Sequence, residues 1–166
     1  IARRFNNLFG ETFPEPKAKL TSFPMVLGLD GKEKMSKQLG NDIEIALSPE
    51  ETIERVMTAV TDPARKFRDD PGHPEICNIY TLHGHFNPEQ VEGIAIQCRA
   101  AKIGCVECKT LLAEKINLAL KPFRERRTEI TARPQYVKEV LADGAKRASV
   151  IARKTLKEVK QKMGLL

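Results

Sequence analysis

The chain has 166 residues, of which 41% are hydrophobic and 30% are charged, and its formal net charge is +6. This composition is typical of a folded globular protein and excludes an intrinsically disordered chain. No apolar run approaches the roughly 18 residues of a membrane span, and no signal-peptide pattern opens the sequence, so we expect a cytoplasmic protein.

Charge is distributed unevenly along the chain. Residues 121–166 carry 13 Lys and Arg against 5 Asp and Glu, whereas residues 1–120 have a net charge of −2. A basic C-terminal third indicates a polyanionic partner such as nucleic acid. A solvated helix surface would have the same composition and is the alternative.

The first part of the chain is predicted to contain one helix and two short strands. Residues 1–9 place apolar side chains on one helical face, and Gly10 ends that pattern. The apolar run 25–29 predicts a buried strand, and the alternation over 43–47 predicts a second one. A strand that leads into a phosphate-contacting loop is typical of the carboxyl edge of an open α/β sheet.

From Ser48 onward the pattern is helical. Ser48, Pro49 and Glu51 form a capping box with proline in the first turn, which predicts a helix to about Thr61. After a polar loop, helices are predicted to begin at Pro74 and Asn87, and others to span about 106–131, 134–141 and 144–163. The predicted fold class is mainly α, with a helical domain over 48–166 preceded by the last part of an α/β unit over 1–47.

The segment 30–41 concentrates chemistry that suits a polyphosphate. It places three lysines and a serine within the six residues 32–37, with a glycine on each side. Lysine ammoniums are mobile point charges, serine offers a donor, and glycines let backbone N–H groups approach a ligand. The segment is not a Walker loop, because the Gly-x-x-x-x-Gly-Lys-Ser/Thr order is absent. A solvated basic turn is the alternative interpretation.

Four cysteines follow with the spacing C-x20-C-x6-C-x2-C, namely Cys77, Cys98, Cys105 and Cys108. A disulfide framework is not expected in a helix-rich chain without a signal peptide. The C-x2-C pair at a predicted helix start lets two thiolates converge on one metal centre. Four thiolates suit Zn²⁺ or a [4Fe–4S] cluster, and buried unreactive thiols are a third interpretation. The three histidines of the chain are expected near this site but not as ligands.

The order Lys34-Met35-Ser36-Lys37 resembles the second class-defining motif of class I aminoacyl-tRNA synthetases. The flanking segments 3–11, 28–31, 59–62 and 144–165 are similar to the C-terminal half of bacterial tryptophanyl-tRNA synthetases, and the likeness covers essentially the whole chain. The cysteines resemble those of a subgroup that holds a [4Fe–4S] cluster in the anticodon-binding domain, although the first spacing is shorter here. The resemblance favours a cluster over zinc.

This resemblance implies a fold, an activity and a set of site residues. The 1–47 part would be the end of a Rossmann-like catalytic domain, and the activity would be ATP-dependent activation of tryptophan and its transfer to tRNA, with Mg²⁺ accompanying ATP. Lys34, Ser36 and Lys37 would be catalytic and hold the pyrophosphate, and Gln38 replaces the final serine of the family motif. The implied ATP-binding residues are Met25, Val26, Lys34, Met35, Ser36, Lys37 and Gln38.

The resemblance also implies partners and a larger protein. The chain would be a fragment that lacks the first class I motif and the tryptophan pocket, so we expect it to be inactive alone, and the whole enzyme to be a homodimer. The basic residues expected to meet tRNA are Arg124, Arg126, Arg127, Arg133, Lys146, Arg147, Arg153, Lys154 and Lys157. The alternative function is a non-catalytic RNA-binding module with a structural iron–sulfur or zinc centre.

Overall fold

The computed structural model describes residues 1–166 and contains six α-helices, two short 3-10 segments and no β-strand. The helices are α1 (Ala2–Phe9), α2 (Pro49–Met57), α3 (Asn78–Phe86), α4 (Val91–Arg99), α5 (Cys105–Thr131) and α6 (Pro134–Lys162), and the 3-10 segments are Lys37–Leu39 and Pro74–Ile76. The predicted mainly α fold class is therefore confirmed. None of these helices combines the length and the apolar composition that a bilayer crossing requires.

The chain divides into two compact units. One unit comprises residues 1–20 and 128–166, and the other comprises residues 21–127. The predicted domain boundary between residues 47 and 48 is a different division and stays a prediction. The buried hydrophobic core lies in the second unit and consists of Leu29, Val56, Ala59, Cys77, Ile79, Leu82, Leu112, Ala113 and Ile116.

The helix starts follow from the local sequence. At α2 the Ser48 hydroxyl accepts a hydrogen bond from the Glu51 N–H, and the Glu51 carboxylate accepts one from the Ser48 N–H, so the predicted capping box is confirmed. The helix buries Thr52 and Val56. The predicted start of the long helix near residue 106 is also confirmed, since α5 begins at Cys105.

The two predicted strands are wrong. Over 25–29 only Leu27 pairs, in an isolated antiparallel bridge with Lys34. Over 43–47 the chain turns instead, with the Leu47 N–H donating to the Glu44 carbonyl, and Ile45 is 60% exposed. A strand is stable only beside a partner strand, and within the chain neither segment has one beyond that bridge.

The two helices predicted at 134–141 and 144–163 are one continuous helix, α6. Gly144 therefore lies inside a helix, where glycine weakens but does not prevent helix formation, at about 1 kcal/mol relative to alanine. An ion pair between Arg147 and Asp143, with Nε and Oδ2 2.9 Å apart, spans this point with the favourable i, i+4 spacing. The predicted break is therefore wrong, because one glycine does not interrupt this helix.

Candidate functional site

The lysine loop, residues 25–41, is a short hairpin. Its two sides are joined by the hydrogen bonds from the Gly28 N–H to the Glu33 carbonyl at 2.8 Å and from the Met35 N–H to the Val26 carbonyl at 2.9 Å. The turn closes where the Gly31 N–H donates to the Gly28 carbonyl at 2.9 Å. Gly31 has a φ of +66°, which an L side chain rarely adopts, so glycine is required there.

Asp30 organises the tip of this hairpin. Its Oδ1 accepts hydrogen bonds from the backbone N–H groups of Lys32 at 2.9 Å and Glu33 at 3.1 Å, and its Oδ2 accepts one from Asn41 Nδ2 at 2.7 Å. These bonds, the one from Lys32 first, hold the pKa of Asp30 below its ordinary value. Asp30 is therefore ionised and used inside the loop.

Asn41 connects the tip to the motif serine. This side chain is 6% exposed, and its Oδ1 accepts a hydrogen bond of 2.7 Å from the Ser36 N–H. The Asn41 carbonyl accepts one of 2.7 Å from the Leu29 N–H. Gly28 leaves the space for this amide, because a Cβ at position 28 would lie 2.1 Å from Asn41 Nδ2.

Ser36 begins the single 3-10 turn that follows. Its hydroxyl accepts a hydrogen bond of 3.3 Å from the Gln38 N–H, and the turn ends at Gly40 in the left-handed region, with φ +62°. The guanidinium of Arg55, on α2, donates to the carbonyls of Gly40 and Asp42. The far end of the loop is thereby tied to a helix.

The predicted phosphate-binding residues lie on one exposed segment. The side chains of Lys34, Lys37 and Gln38 are exposed, whereas Met35 and Ser36 are half-buried. Neither lysine ammonium has an ion-pair partner in the structure, so both positive charges are available to a polyanion. Upstream, Met25 is 64% exposed and Val26 is half-buried against the core.

The four cysteines lie within or directly before three helices of the same unit. Cys77 precedes α3, Cys98 lies near the end of α4, and Cys105 and Cys108 lie in the first turn of α5. Burial first, and then Coulombic interaction with the other three thiols, raises the pKa of Cys108 to about 12. The other three thiols therefore lie close enough to Cys108 to act on its ionisation.

Burial raises the pKa of the Cys98 thiol, and the Arg65 guanidinium beside it acts in the opposite direction. A guanidinium nitrogen of Arg65 lies 3.9 Å from Cys98 Sγ, and the Nε of the same side chain is buried without a hydrogen-bond partner. A Cβ at Gly72 would lie 2.3 Å from Cys98 Sγ. A cation with an unused donor therefore adjoins Cys98, and Gly72 leaves the room that Cys98 Sγ itself occupies.

His83 borders the group as a neutral side chain. It is fully buried, and burial lowers its pKa. Its Nε2 lies 3.1 Å from the Cys108 carbonyl and 3.4 Å from Cys108 Sγ, and Asn87 Nδ2 lies 3.3 Å from its Nδ1. Because a carbonyl only accepts, the proton is on Nε2, so this histidine orients the Cys108 segment.

The arrangement of the thiols does not by itself amount to a metal site. No three His, Cys, Asp or Glu side chains are placed so that they could hold a metal ion as they stand. A [4Fe–4S] cluster has its irons at separate corners and accepts thiolates that are further apart than those around a single ion.

Two residues that organise these sites were not singled out from the sequence. Asn78, at the start of α3, donates from Nδ2 to the Gly28 carbonyl at 2.8 Å. Asp62 is 4% exposed and accepts hydrogen bonds from the His73 ring at 2.9 Å and from the Ala64 N–H at 2.8 Å. In the sequence, the only sign of a structural role for Asn78 or Asp62 is that each is a polar residue next to an apolar pattern.

Arg124, one of the residues expected to meet tRNA, is engaged within its own unit. Its guanidinium donates to Thr52 Oγ1 and to Asn117 Oδ1, at 2.7 Å in each case. The basic residues of α6 behave differently. Lys146, Arg147, Arg153, Lys154 and Lys157 are exposed, and their spacings of three, four and seven residues place them on one side of the helix.

Comparison with known proteins places the chain in a family. The family model described as "tRNA synthetases class I (W and Y)" matches residues 1–121. The tryptophan–tRNA ligase of Aquifex aeolicus is 44% identical over 99% of this chain and 42% of its own length, and that of Thermotoga maritima is 42% identical over 100% and 51%. The chain thus spans about half the length of the curated relatives it matches.

A solved structure agrees with this match. Tryptophanyl-tRNA synthetase from Campylobacter jejuni, in complex with ADP and tryptophan, is 31% identical, with a TM-score of 0.78 over 99% of this chain and 51% of that one. Sequence and structure therefore lead to the same assignment: the chain belongs to the class I tRNA synthetases of the tryptophan and tyrosine family.

Proposed function

We propose that this chain supplies the pyrophosphate-binding loop and the tRNA-binding helices of a tryptophan–tRNA ligase. The observation that carries the proposal is the lysine loop, which is held by Asp30 and Asn41 while Lys34 and Lys37 stay exposed and unpaired. Relatives named tryptophan–tRNA ligase align over nearly the whole chain, and one solved relative carries ADP and tryptophan. These matches favour tryptophan over tyrosine as the amino acid.

The loop would act on the departing phosphates. When the carboxylate of tryptophan attacks the α-phosphate of ATP, negative charge accumulates on the pyrophosphate, which leaves with its Mg²⁺. Lys34 and Lys37 would bind that charge most tightly in the transition state, and Ser36 would donate a hydrogen bond to it. Met35 would anchor the loop, Gln38 would follow the phosphate contacts, and the backbone of Met25 and Val26 would face adenine.

Binding of Mg²⁺–pyrophosphate to the chain tests this assignment. We expect Lys37→Ala to weaken binding by at least about tenfold, because one charge-assisted contact contributes roughly 1.5–3 kcal/mol. Lys32→Ala is the matched control, since Lys32 lies in the same loop with the same charge but outside the motif. Equal losses in both variants would indicate a nonspecific basic turn.

Catalysis is tested in the longer protein. We expect tryptophan-dependent exchange between pyrophosphate and ATP to require Lys34 and Lys37, and the 166-residue chain alone to show none. No exchange by the wild-type longer protein would favour the alternative, an RNA-binding module without catalysis, and exchange that survives Lys37→Ala would contradict the role assigned to that lysine. A homodimer and a cytoplasmic location stay predictions for that protein.

We further propose that Cys77, Cys98, Cys105 and Cys108 hold a [4Fe–4S] cluster, with Zn²⁺ as the alternative. The placement of the other three thiols near Cys108 and the Arg65 guanidinium beside Cys98, with its unused Nε donor, support a centre shared by the four cysteines. When bound, the cluster would brace the three helix ends. The side chains themselves would fix the site, with His83 orienting Cys108 and Arg65 balancing charge on Cys98.

Metal analysis tests this second assignment. We expect iron and acid-labile sulfide, with the matching visible spectrum, in protein purified without oxygen, and loss of both in Cys108→Ser. Stoichiometric zinc without iron would replace the cluster by a zinc site, and neither metal would leave the thiols as structural residues.

A further inference from the structure

The start of α3 adjoins both candidate sites. Cys77 immediately precedes the helix and Asn78 is its first residue. The Asn78 side chain is 7% exposed, and its Nδ2 donates a hydrogen bond of 2.8 Å to the Gly28 carbonyl, 50 positions earlier. One dipeptide thus carries a cysteine of one site and an anchor of the other.

The carbonyl of Gly28 accepts the hydrogen bond that closes the turn at the tip of the lysine loop. Its oxygen accepts hydrogen bonds from both Asn78 and the Gly31 N–H. Asn78 also packs against that turn, since a Cβ at Gly31 would lie 3.3 Å from Asn78 Cβ. A displacement of Asn78 should therefore move the turn.

The displacement has a short route to the motif. Leu29, next to Gly28, donates its N–H to the Asn41 carbonyl at 2.7 Å. Asn41 Oδ1 in turn accepts the Ser36 N–H at 2.7 Å. Leu29 and Cys77 also belong to the same buried core. The path from Asn78 to Ser36 therefore runs through packed, hydrogen-bonded groups.

The chemistry of the contact requires an amide. The Gly28 carbonyl only accepts, so the Nδ2 of Asn78 must face it, and the Oδ1 is left buried without a partner. An unsatisfied buried acceptor lowers stability. The presence of asparagine at position 78 is therefore better explained by its hydrogen bond to the Gly28 carbonyl, which positions the loop, than by a gain in folding free energy.

We propose that Asn78 is a positioning residue that couples occupancy of the four-cysteine site to the order of the lysine loop. This inference rests on the proposed function, in which both sites are used. With Cys77 held as a metal ligand, the start of α3 is fixed, and Asn78 holds the turn at Gly28. The loop is then better ordered and binds pyrophosphate more tightly.

Hydrogen exchange of the Gly31, Met35 and Ser36 amides tests the contact directly. We expect Asn78→Ala to speed exchange of these amides about tenfold, as loss of one buried hydrogen bond implies. Asn78→Asp, which keeps the shape but lacks the N–H, should act the same way. Unchanged exchange in both variants would overturn the proposal.

Asn117→Ala is the matched control. Asn117 likewise donates from Nδ2 to a distant carbonyl, that of Pro49, at 3.0 Å, but it contacts neither site. It should leave loop exchange unchanged. If circular dichroism shows that Asn78→Ala does not fold, Asn78→Asp, which keeps the size of the side chain, is the variant compared with this control.

The coupling is tested by removing metal from the whole chain with a chelator. In the wild type, removal should speed exchange of the loop amides and weaken pyrophosphate binding. In Asn78→Ala it should add little, since both changes break one path. Equal effects of removal in the two proteins, or a chain that takes up neither iron nor zinc, would contradict the coupling.

Pyrophosphate binding separates this inference from the function on which it rests. A loaded wild-type chain that does not bind pyrophosphate, while its loop exchange still follows Asn78 and metal, would remove the phosphate role and keep the coupling. Pyrophosphate binding that ignores both Asn78 and metal would keep the phosphate role and overturn the coupling.

Discussion

One almost fully buried polar side chain, that of Asn41, determines the form of the lysine loop together with the partly exposed Asp30. Asn41 joins Asp30 to Ser36, and Gly28 provides its space. The exposed lysines contribute little to that form. Recognition and shape are therefore assigned to different residues within one segment.

Gly28→Ala should destabilise the protein more than its small size suggests. The new Cβ would overlap the Asn41 amide, and overpacking of this kind typically costs about 1–3 kcal/mol. Urea unfolding measures the change in free energy. Gly84→Ala, in α3 with no atom within 4 Å of its added Cβ, is the control and should be neutral or stabilising. Equal stability of the two variants would contradict the expected overlap.

Asp62 should make the fold sensitive to acid. Burial acts to raise its pKa, but hydrogen bonds from the His73 ring and from the N–H groups of Ala64 and His73 outweigh burial and lower it. A carboxyl whose folded-state pKa is lowered stabilises the fold above its unfolded value of about 3.9, and that contribution is lost as the pH falls through the folded-state pKa.

Urea unfolding of Asp62→Asn between pH 3 and pH 7 measures this contribution. We expect a loss of about 1–3 kcal/mol at pH 7 and a flatter fall towards pH 3. Asp69→Asn is the control, because the Asp69 side chain is 94% exposed. A wild-type stability that does not change between pH 5 and pH 3 would count against a lowered pKa.

At the scale of elements, α6 is the clearest departure from a compact core helix. It spans Pro134–Lys162 and buries no residue. Its stability must therefore come largely from helix propensity and from i, i+4 pairs such as Asp143–Arg147.

Gly144→Ala should therefore stabilise α6 by about 1 kcal/mol. Slower amide exchange along the helix and a higher melting temperature in circular dichroism are the readouts. Gly164→Ala, beyond the helix end at φ +71°, should instead be destabilising. A loss of helix content in Gly144→Ala would contradict a continuous α6 and favour two helices separated at Gly144.

The elements were predictable where the signal is local. The cap of α2 involves Ser48 and Glu51, three positions apart, and α5 begins directly after Gly104. The prediction of a strand over 25–29 was wrong because strand formation depends on partner strands that can be distant in sequence. Asn78 and Gly28 are 50 positions apart, so neither pattern nor spacing could reveal their contact, whereas the motif lysines and cysteines were identifiable from residue order.

At the scale of the whole molecule, charge separates along the sequence. Residues 121–166 hold the excess of positive charge, and one side of α6 carries five exposed basic residues. Such a surface suits the phosphate backbone of a tRNA, through contacts that fix position but do not read bases.

Binding of tRNA should consequently weaken steeply with salt. The logarithm of the association constant should fall by about 0.7–0.9 per contacted phosphate for each unit of log salt concentration. Lys154→Ala should reduce that slope by roughly one. Lys102→Ala, which removes an exposed lysine outside α6, should leave it unchanged. Binding that is insensitive to salt would exclude the proposed surface.

The glycines of the lysine loop limit which sequences can replace it. Gly28 is required for space, because a Cβ there would meet the Asn41 amide. Gly40 is required only for its backbone conformation, at φ +62° with no atom within 4 Å of an added Cβ. Asparagine, which tolerates that conformation, is therefore an acceptable substitute at position 40 but not at position 28. Among functional variants, the two positions should differ in tolerance although both hold glycine.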